Sequence, residues 1–354
     1  MGCVSKPEEF IIAEERERSR QREARCCSIQ EFVNAAIEGG TKPRYVEHRT
    51  LIREEDVTLT QYSRYMDKNA FSNVLLLDKS RVKLMLQMVG DTSYIHASHV
   101  SNAENRFILT QCPLRRTQID FWRMIWQENV PLIVCLQSPE EGMLYYWPNQ
   151  AKKSIKFGVA PRFRIETMDV KHESEYDLVQ LVVETRSQQK APKQTRNVHL
   201  LHYHKWPLQG LPTVHSLLDF LDLIWQMESM AMAEQTQQTQ TEKTKSSATT
   251  STDRSLDKPE SPTVIQCCSG VLRSGTLAAV SFVGKTFRKT ERFDVIKAVS
   301  RVRKQRWGCV KSKQHYAFIY VCVFELAAKA GKINRDDPIY RNFLESVRRI
   351  SDDD

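Results

Sequence analysis

The sequence has no apolar run long enough to cross a membrane. A membrane-spanning helix needs about 20 consecutive, predominantly apolar residues. The longest stretch here, Tyr316 to Ala330, is shorter than that and contains Glu325. We therefore expect a soluble protein unless a lipid is attached to the chain.

The nine cysteines show no regular spacing, their number is odd, and no secretory signal precedes them. This pattern favours reduced thiols in the cytoplasm over a disulfide framework. The sequence also lacks zinc-finger spacing and any basic stretch interleaved with aromatic residues, which argues against nucleic acid as a partner. Nothing in the sequence indicates a metal ion or another cofactor.

The composition itself is ordinary for a globular protein, with 41% hydrophobic and 27% charged residues among 354. That length accommodates one large domain or two average ones. The formal net charge of +9 favours acidic or phosphorylated partners, although charge alone does not separate a phosphopeptide from an anionic membrane.

Changes in composition divide the chain. Residues 1–44 form a charged segment that we expect to be a flexible tail, and residues 45–335 form the main domain. Within it, residues 231–262 are rich in Gln, Thr, Ser and Lys and poor in large apolar side chains, so we expect a disordered insertion. Residues 336–354 are predicted to form a C-terminal helix followed by an acidic tail.

Inside the main domain, hydrophobic segments alternate with turn signals, which predicts an α/β (α+β) fold with a mixed sheet and surrounding helices. The predicted strands are Phe107–Thr110, Leu132–Leu136 and Tyr176–Glu184, besides a short one at Val264 and Ile265. The predicted helices are Thr117–Gln127, Val214–Met230, Phe293–Val302 and Tyr316–Ala330.

Residues 264–276 carry the strongest chemical signal. A short β-branched strand is followed by a loop that begins with Cys267 and by an apolar helix that starts near Arg273. Backbone N–H groups at such a helix start converge on one point and suit a dianionic oxygen cluster. A cysteine there is expected to be a thiolate, and the planar arginine fork can hold two phosphate oxygens. The alternative is a buried structural cysteine with a surface arginine.

The loop resembles the signature of the classical protein tyrosine phosphatases, H-C-S-x-G-x-G-R-[ST]-G. Other segments resemble further motifs of that family, and they occur in the family's order. They are Asp78 to Leu84, Tyr94 to Ser98, Thr110 to Leu114 with Thr117 and Asp120 to Trp122, Tyr146 to Pro148, and Trp206-Pro207 with Gly210 and Pro212. The resemblance spans about residues 45–330 and implies a single domain of the non-receptor type with a highly twisted mixed sheet.

The resemblance also implies roles for individual residues. Cys267 corresponds to the nucleophile that forms a cysteinyl phosphate, and Arg273 to the group that clamps the transition state. Glu140 or Glu141 is expected to pair with Arg273. The remaining positions implied to contact substrate are Phe71, Asn73, Cys268, Ser269, Gly270, Val271, Leu272, Ser274, Lys311 and His315.

The general acid of the family is missing. It belongs to a mobile loop with the pattern W-P-D-x-G-x-P, and this sequence has Leu208 at the aspartate position. Neither Leu208 nor Gln209 can donate a proton to a departing tyrosine oxygen, and His204 precedes the loop. Loss of a general acid typically costs about 10²- to 10⁴-fold in rate.

Four other positions depart from the family pattern. Gln266 replaces the histidine before the nucleophile, and Leu272 replaces the second glycine of the loop. If that position needs a positive φ or a close backbone approach to phosphate, we expect leucine to cost about 1–2 kcal/mol and to distort the cradle. Lys311 and His315 replace the two glutamines that position water for hydrolysis of the phosphoenzyme.

Recognition is better preserved than turnover. In the segment that resembles the phosphotyrosine-recognition loop, Phe71 keeps a ring for stacking on the substrate tyrosine, and Asn73 keeps a carbonyl acceptor. The favoured hypothesis is therefore a pseudophosphatase that binds tyrosine-phosphorylated proteins. The alternatives are a slow phosphatase acting through a Cys267 phosphoenzyme and a scaffold that no longer binds phosphate.

The N-terminus carries a separate prediction. Gly2 and Cys3 resemble the acylated positions of dually lipidated proteins, although Lys6 occupies the position where a hydroxyl residue is usual. Two acyl chains would hold the protein at the inner face of the plasma membrane. The alternative is a plain tail without lipid.

Overall fold

The computed structural model of the protein describes residues 58–158, 162–185, 193–245, 261–338, 340–342 and 344–345. The predicted acylation sites Gly2 and Cys3 lie outside this part of the chain, so their modification stays a prediction. Within the described residues, no helix is both long and apolar enough to cross a membrane.

The described residues build one nine-stranded sheet in the order β1-β2-β3-β9-β4-β8-β7-β6-β5. Strands β3, β9, β4 and β8 run parallel, and the strands outside them pair antiparallel. The sheet is therefore mixed, as the sequence predicted. The strand bounds are β1 Arg81–Lys83, β2 Tyr94–Ser101, β3 Arg106–Gln111, β4 Leu132–Cys135, β5 Ser154–Phe157, β6 Phe163–His172, β7 Tyr176–Thr185, β8 Gln194–Tyr203 and β9 Thr263–Cys267.

Alternation along the central strands divides the core into two clusters. Leu132, Val134 and Cys267 belong to the cluster beneath the C-terminal helices. Ile133 and Val264 belong to the cluster on the opposite face. Because successive side chains of a strand point to opposite faces, a short β-branched run is buried on both sides here. Cys267 is thus directed toward the face where the C-terminal helices pack.

Helices cover both faces of the sheet. Their bounds are α1 Thr60–Arg64, α2 Gln118–Gln127, α3 Val214–Lys245, α4 Arg273–Thr290, α5 Val295–Gln305 and α6 Lys313–Lys329. Helical backbone returns at residues 338, 340–342 and 344–345. The long predicted helices and strands are confirmed to within a few residues at their ends, except at the C-terminal end of α3.

The structure describes only the two ends of the segment predicted as an insertion, residues 231–262. Helix α3 continues through Lys245, and residues 261–262 lead directly into β9. The Ala, Met, Gln, Glu and Lys side chains after Met230 are good helix formers, so the helix extends although few large apolar residues remain to be buried. Residues 246–260 lie outside the described part of the chain.

Candidate active site

The candidate site lies at the carboxyl end of the central strand β9, between β3 and β4. Cys267 is the last residue of β9, and α4 begins six residues later at Arg273. Between them, the side chains of Cys268 and Ser269 are half-buried and Val271 is buried. A tight loop at the start of an 18-residue helix therefore surrounds the Cys267 sulfur.

The sulfur of Cys267 is buried and accepts hydrogen bonds. The Gly270 amide donates to Sγ at 3.2 Å, and the hydroxyl of Ser274 lies 3.4 Å from it. Two hydrogen-bonding groups and the positive end of α4 favour an anion bound beside this sulfur. The structure thus brings the sequence-predicted nucleophile, loop and helix start together.

Gly270 requires glycine for two reasons. Its φ is +71°, and a Cβ at this position would lie 2.3 Å from the carbonyl carbon of Thr110. The loop between Cys267 and Arg273 therefore packs against the backbone at the end of β3 and leaves no room for a side chain at Gly270. A residue with a Cβ would have to push the loop away from the strand.

Leu272 does not have the conformation that would make it costly. Its φ is −84°, in the right-handed region, and its carbonyl accepts hydrogen bonds from the amide and the hydroxyl of Thr276 at 2.9 and 2.8 Å. The positive φ that would make leucine costly is therefore absent here, while its effect on a close approach of phosphate stays a prediction. The residue lies at the N-cap of α4 with an ordinary backbone geometry.

The guanidinium of Arg273 is buried and engaged on both of its terminal nitrogens. One donates to the Leu136 carbonyl at 3.0 Å and to Glu141 Oε2 at 2.7 Å. The other donates to the carbonyls of Pro207 and Leu208 at 3.1 and 3.4 Å. Of the two candidate acidic partners, Glu141 forms the ion pair. The loop in which Leu208 takes the position of the family's aspartate therefore lies directly over the arginine.

At the acid position, the Leu208 side chain is 53% exposed, while its carbonyl faces Arg273. His204, the other candidate proton donor, is held by Asp177 through a 3.0 Å contact. Burial and the neighbouring His202 lower the pKa of His204, which favours the neutral ring. The contacts described for this loop supply no carboxylic acid beside the sulfur.

The two water-positioning positions have different surroundings. Lys311 is exposed, whereas His315 is 5% exposed and stacks on Trp206 with ring centroids 6.0 Å apart. Neither ring nitrogen of His315 has a hydrogen-bond partner among the described residues. Burial and the nearby Arg273 lower the pKa of His315 to about 4. The ring is therefore neutral at physiological pH.

Phe71 and Asn73 are exposed in the loop that follows α1. Gln111 anchors that loop, because its side chain accepts from the Ala70 amide at 2.9 Å and donates to the Lys68 carbonyl at 3.0 Å. Gln111 on β3 pairs with Cys267 on β9. The loop that contains Phe71 and Asn73 therefore lies beside the loop that follows Cys267. Sequence reasoning placed Gln111 in a motif but gave it no role.

Arg306 is a functional residue that the sequence analysis missed. It is completely buried, and its guanidinium donates to the Gly270 carbonyl at 3.1 Å, to the Ser98 hydroxyl and to His96 Nδ1. Arg306 thus holds the backbone of the loop between Cys267 and Arg273 at Gly270. Burial, with a contribution from Arg306, lowers the pKa of His96 to about 3, which keeps that ring an acceptor. Arg306 follows Arg301, Arg303 and Lys304 in the sequence, so no local pattern distinguishes it from these other basic residues.

Gln266, in place of the family's histidine, is also completely buried. Its side-chain amide donates to the Cys135 sulfur at 3.3 Å, and its carbonyl oxygen has no partner among the described residues. The side chain therefore turns toward the sheet face opposite Cys267. The described cysteines, including Cys112, Cys268, Cys309 and Cys322, are free thiols.

The protein-tyrosine phosphatase family profile matches residues 65–325, most of the chain. The chain belongs to the protein tyrosine phosphatase family. Tyrosine-protein phosphatase non-receptor type 9 of Homo sapiens is 28% identical over 317 residues, which cover 86% of this chain and 49% of that protein. Receptor-type tyrosine-protein phosphatase eta of Homo sapiens is 26% identical over 342 residues, 92% of this chain and 21% of that protein. The chain spans about half or less of the length of these relatives.

Proposed function

We propose that this chain is a pseudophosphatase that binds tyrosine-phosphorylated proteins and does not turn them over at a useful rate. The observation that carries the proposal is the contrast around Arg273. The groups that hold an anion are in place, while the loop lying over them presents Leu208 where the family has an acid. Capture of phosphate and protonation of the leaving group therefore depend on different segments of the chain.

Binding would use the loop amides, the start of α4 and the fork of Arg273. The carbonyls of Pro207 and Leu208 now occupy one terminal nitrogen of that fork. An incoming phosphate must therefore displace or share these contacts. Phe71 and Asn73, which Gln111 holds beside the loop, would contact the tyrosine ring and the peptide backbone.

Turnover would fail at two points. A tyrosine oxygen leaves poorly without a proton donor, and the Leu208 side chain supplies none. Any cysteinyl phosphate that forms then needs a positioned water, and the residues at those positions are an exposed lysine and a stacked histidine. The second candidate, a slow phosphatase, is favoured by the hydrogen bonds to the Cys267 sulfur, since an activated thiolate retains some rate without the acid.

The binding test is calorimetry of a phosphotyrosine peptide with the parent protein and with Arg273→Ala. We expect the substitution to weaken affinity more than about tenfold, because it removes both the fork and the partner of Glu141. Arg292→Ala, which removes an exposed arginine outside the site, is the matched control and should leave affinity nearly unchanged. Equal affinities for all three proteins would favour a scaffold that does not use the pocket.

Kinetics separate the two remaining candidates. An activated aryl phosphate needs no leaving-group protonation, so slow hydrolysis of that compound agrees with either one. Release of phosphate from a phosphotyrosine peptide over many turnovers, abolished by Cys267→Ser, would contradict the pseudophosphatase proposal.

We also infer a cytoplasmic location, because the similar proteins include non-receptor phosphatases. Anchoring at the inner face of the plasma membrane through Gly2 and Cys3 remains a separate prediction. Its test is membrane pelleting of the full chain, which Gly2→Ala should abolish.

A further inference from the structure

Two histidines and an aspartate meet beside the loop that carries Leu208. Asp177, His202 and His204 each offer one ligand atom, and these atoms all lie within 4.8 Å of one another. We propose that they form a binding site for a divalent transition-metal ion, with Zn²⁺ the favoured occupant. Sequence analysis indicated no metal because these residues have no recognisable ligand spacing.

The sheet brings the three residues together. Asp177 on β7 pairs directly with His202 on the antiparallel strand β8. His204 lies just past the end of β8, and its amide donates to the Glu175 carbonyl at 2.8 Å, which holds this part of the chain against the start of β7. The cluster therefore rests on two hydrogen-bonded strands and not on a free loop.

A metal bound by the cluster would replace the 3.0 Å contact between His204 Nε2 and Asp177. His202 donates Nε2–H to the Gln137 carbonyl at 2.9 Å, because a carbonyl can only accept, so its lone pair is on Nδ1. Such an outer hydrogen bond is the usual support of a metal-binding histidine. The other oxygen of Asp177 is held by His172 at 2.7 Å.

The donor set selects the class of metal. Two imidazole nitrogens and one carboxylate suit Zn²⁺ with water in the fourth position, whereas Mg²⁺ prefers oxygen ligands alone. Zinc bonds of about 2.0–2.1 Å in a tetrahedron place ligand atoms about 3.3 Å apart. The three ligand atoms lie within 4.8 Å of one another and would move closer together around a bound ion.

The site has a mechanical consequence for the loop above Arg273. His204 lies two residues before Trp206, and the Leu208 carbonyl contacts Arg273. A metal bound by His204 and Asp177 would fasten the beginning of this loop to β7. Metal binding itself does not depend on the proposed phosphotyrosine binding, so each proposal fails or stands separately.

The test is titration of the metal-free protein with Zn²⁺ and with Co²⁺, followed by calorimetry and visible absorption. We expect one ion per chain and a tetrahedral Co²⁺ spectrum without the near-ultraviolet band of a thiolate ligand. Asp177→Asn and His204→Gln should each weaken affinity more than about tenfold. His172→Ala should have a smaller effect, since this residue only orients the carboxylate.

His99→Gln is the matched control, because His99 is an exposed histidine that lies 3.9 Å from Glu128, outside the cluster. Melting temperatures of all variants in chelator establish that each one is folded. Equal affinities for Zn²⁺ in the parent, Asp177→Asn, His204→Gln and His99→Gln would overturn the proposal. A thiolate–cobalt band would also overturn it, because the ion would then be held by cysteines.

Discussion

The loop after β9 and the loop after β8 meet at Arg273, and their side chains differ in what they can do. The first provides a buried sulfur, a glycine that no other residue can replace without a clash, and an arginine in an ion pair with Glu141. The second lies over the same arginine but contributes carbonyl oxygens and an apolar side chain.

This difference separates anion binding from catalysis in physical terms. Binding needs converging N–H groups and a positive fork, which depend on backbone shape and on one residue. Leaving-group protonation needs a single ionisable side chain at one position, so one substitution removes it without disturbing the fold. Restoring the acid at position 208 tests this difference directly, and changes within each loop test the contribution of its residues.

Leu208→Asp should have the largest effect, because it restores a carboxylic acid on the loop above Arg273. We expect the first step with a phosphotyrosine peptide to accelerate by about 10²- to 10⁴-fold. Single-turnover release of dephosphorylated peptide is the suitable measurement, since later hydrolysis of the phosphoenzyme can limit steady-state turnover.

Gln209→Asp is the matched control, with the same charge one residue farther along the loop. It should leave the rate near that of the parent. No acceleration in Leu208→Asp would mean that the missing acid is not what limits the first step.

Gly270→Ala should destabilise the protein by about 3 kcal/mol, since it combines a backbone clash at 2.3 Å with an unfavourable positive φ. Gly308→Ala is the control, because Gly308 also has a positive φ of +78° but would place no atom within 4 Å of its new Cβ. Only the conformational cost of about 1 kcal/mol is expected there. Urea unfolding measures both; equal losses would contradict the described contact with Thr110.

His315→Gln should reduce the loss of stability in acid. The pKa of His315 is lowered to about 4 in the folded protein, so the unfolded chain binds a proton first as pH falls below about 6.5. The stability that the neutral His315 ring contributes is therefore fully present above about pH 6.5 and is lost as the pH approaches 4. Between about pH 7.5 and pH 5 the parent should lose about 2 kcal/mol more than the variant.

The measurement is the free energy of unfolding at both pH values, with the exposed His99→Gln as control. His96, whose pKa is lowered to about 3, remains in all three proteins and contributes equally. Identical acid losses in the parent and His315→Gln would contradict the burial of a neutral ring at this position.

Leu272→Gly should have the smallest effect. Because φ at this residue is −84°, glycine relieves no strain and only adds freedom to the unfolded chain. We expect a destabilisation of about 1 kcal/mol or less and a change in phosphopeptide affinity of less than about threefold. A clear gain in affinity by calorimetry would show that the leucine side chain obstructs the pocket.

Much of the fold and the centre of the candidate site could be predicted from the sequence. Buried strands such as Leu132–Cys135 are short apolar runs, and the loop from Cys267 to Arg273 has a spacing that few other sites share. The end of α3 was mispredicted because helix propensity extended it past the last large apolar residues. Whether Leu272 needs a positive φ was left open by the sequence, because φ cannot be inferred from residue type alone.

The chemical groups of the site can be read from the residues alone: a thiol, an arginine, and no acid at position 208. Local spacing is enough for that, because these groups are close together or carry a family motif. The residues that surround and support these groups depend on the tertiary structure. Arg306 beneath Gly270, Gln111 beside Ala70, and the approach of Asp177 to His202 and His204 join residues from separate strands and helices. Such contacts depend on strand order and register, which no local pattern contains.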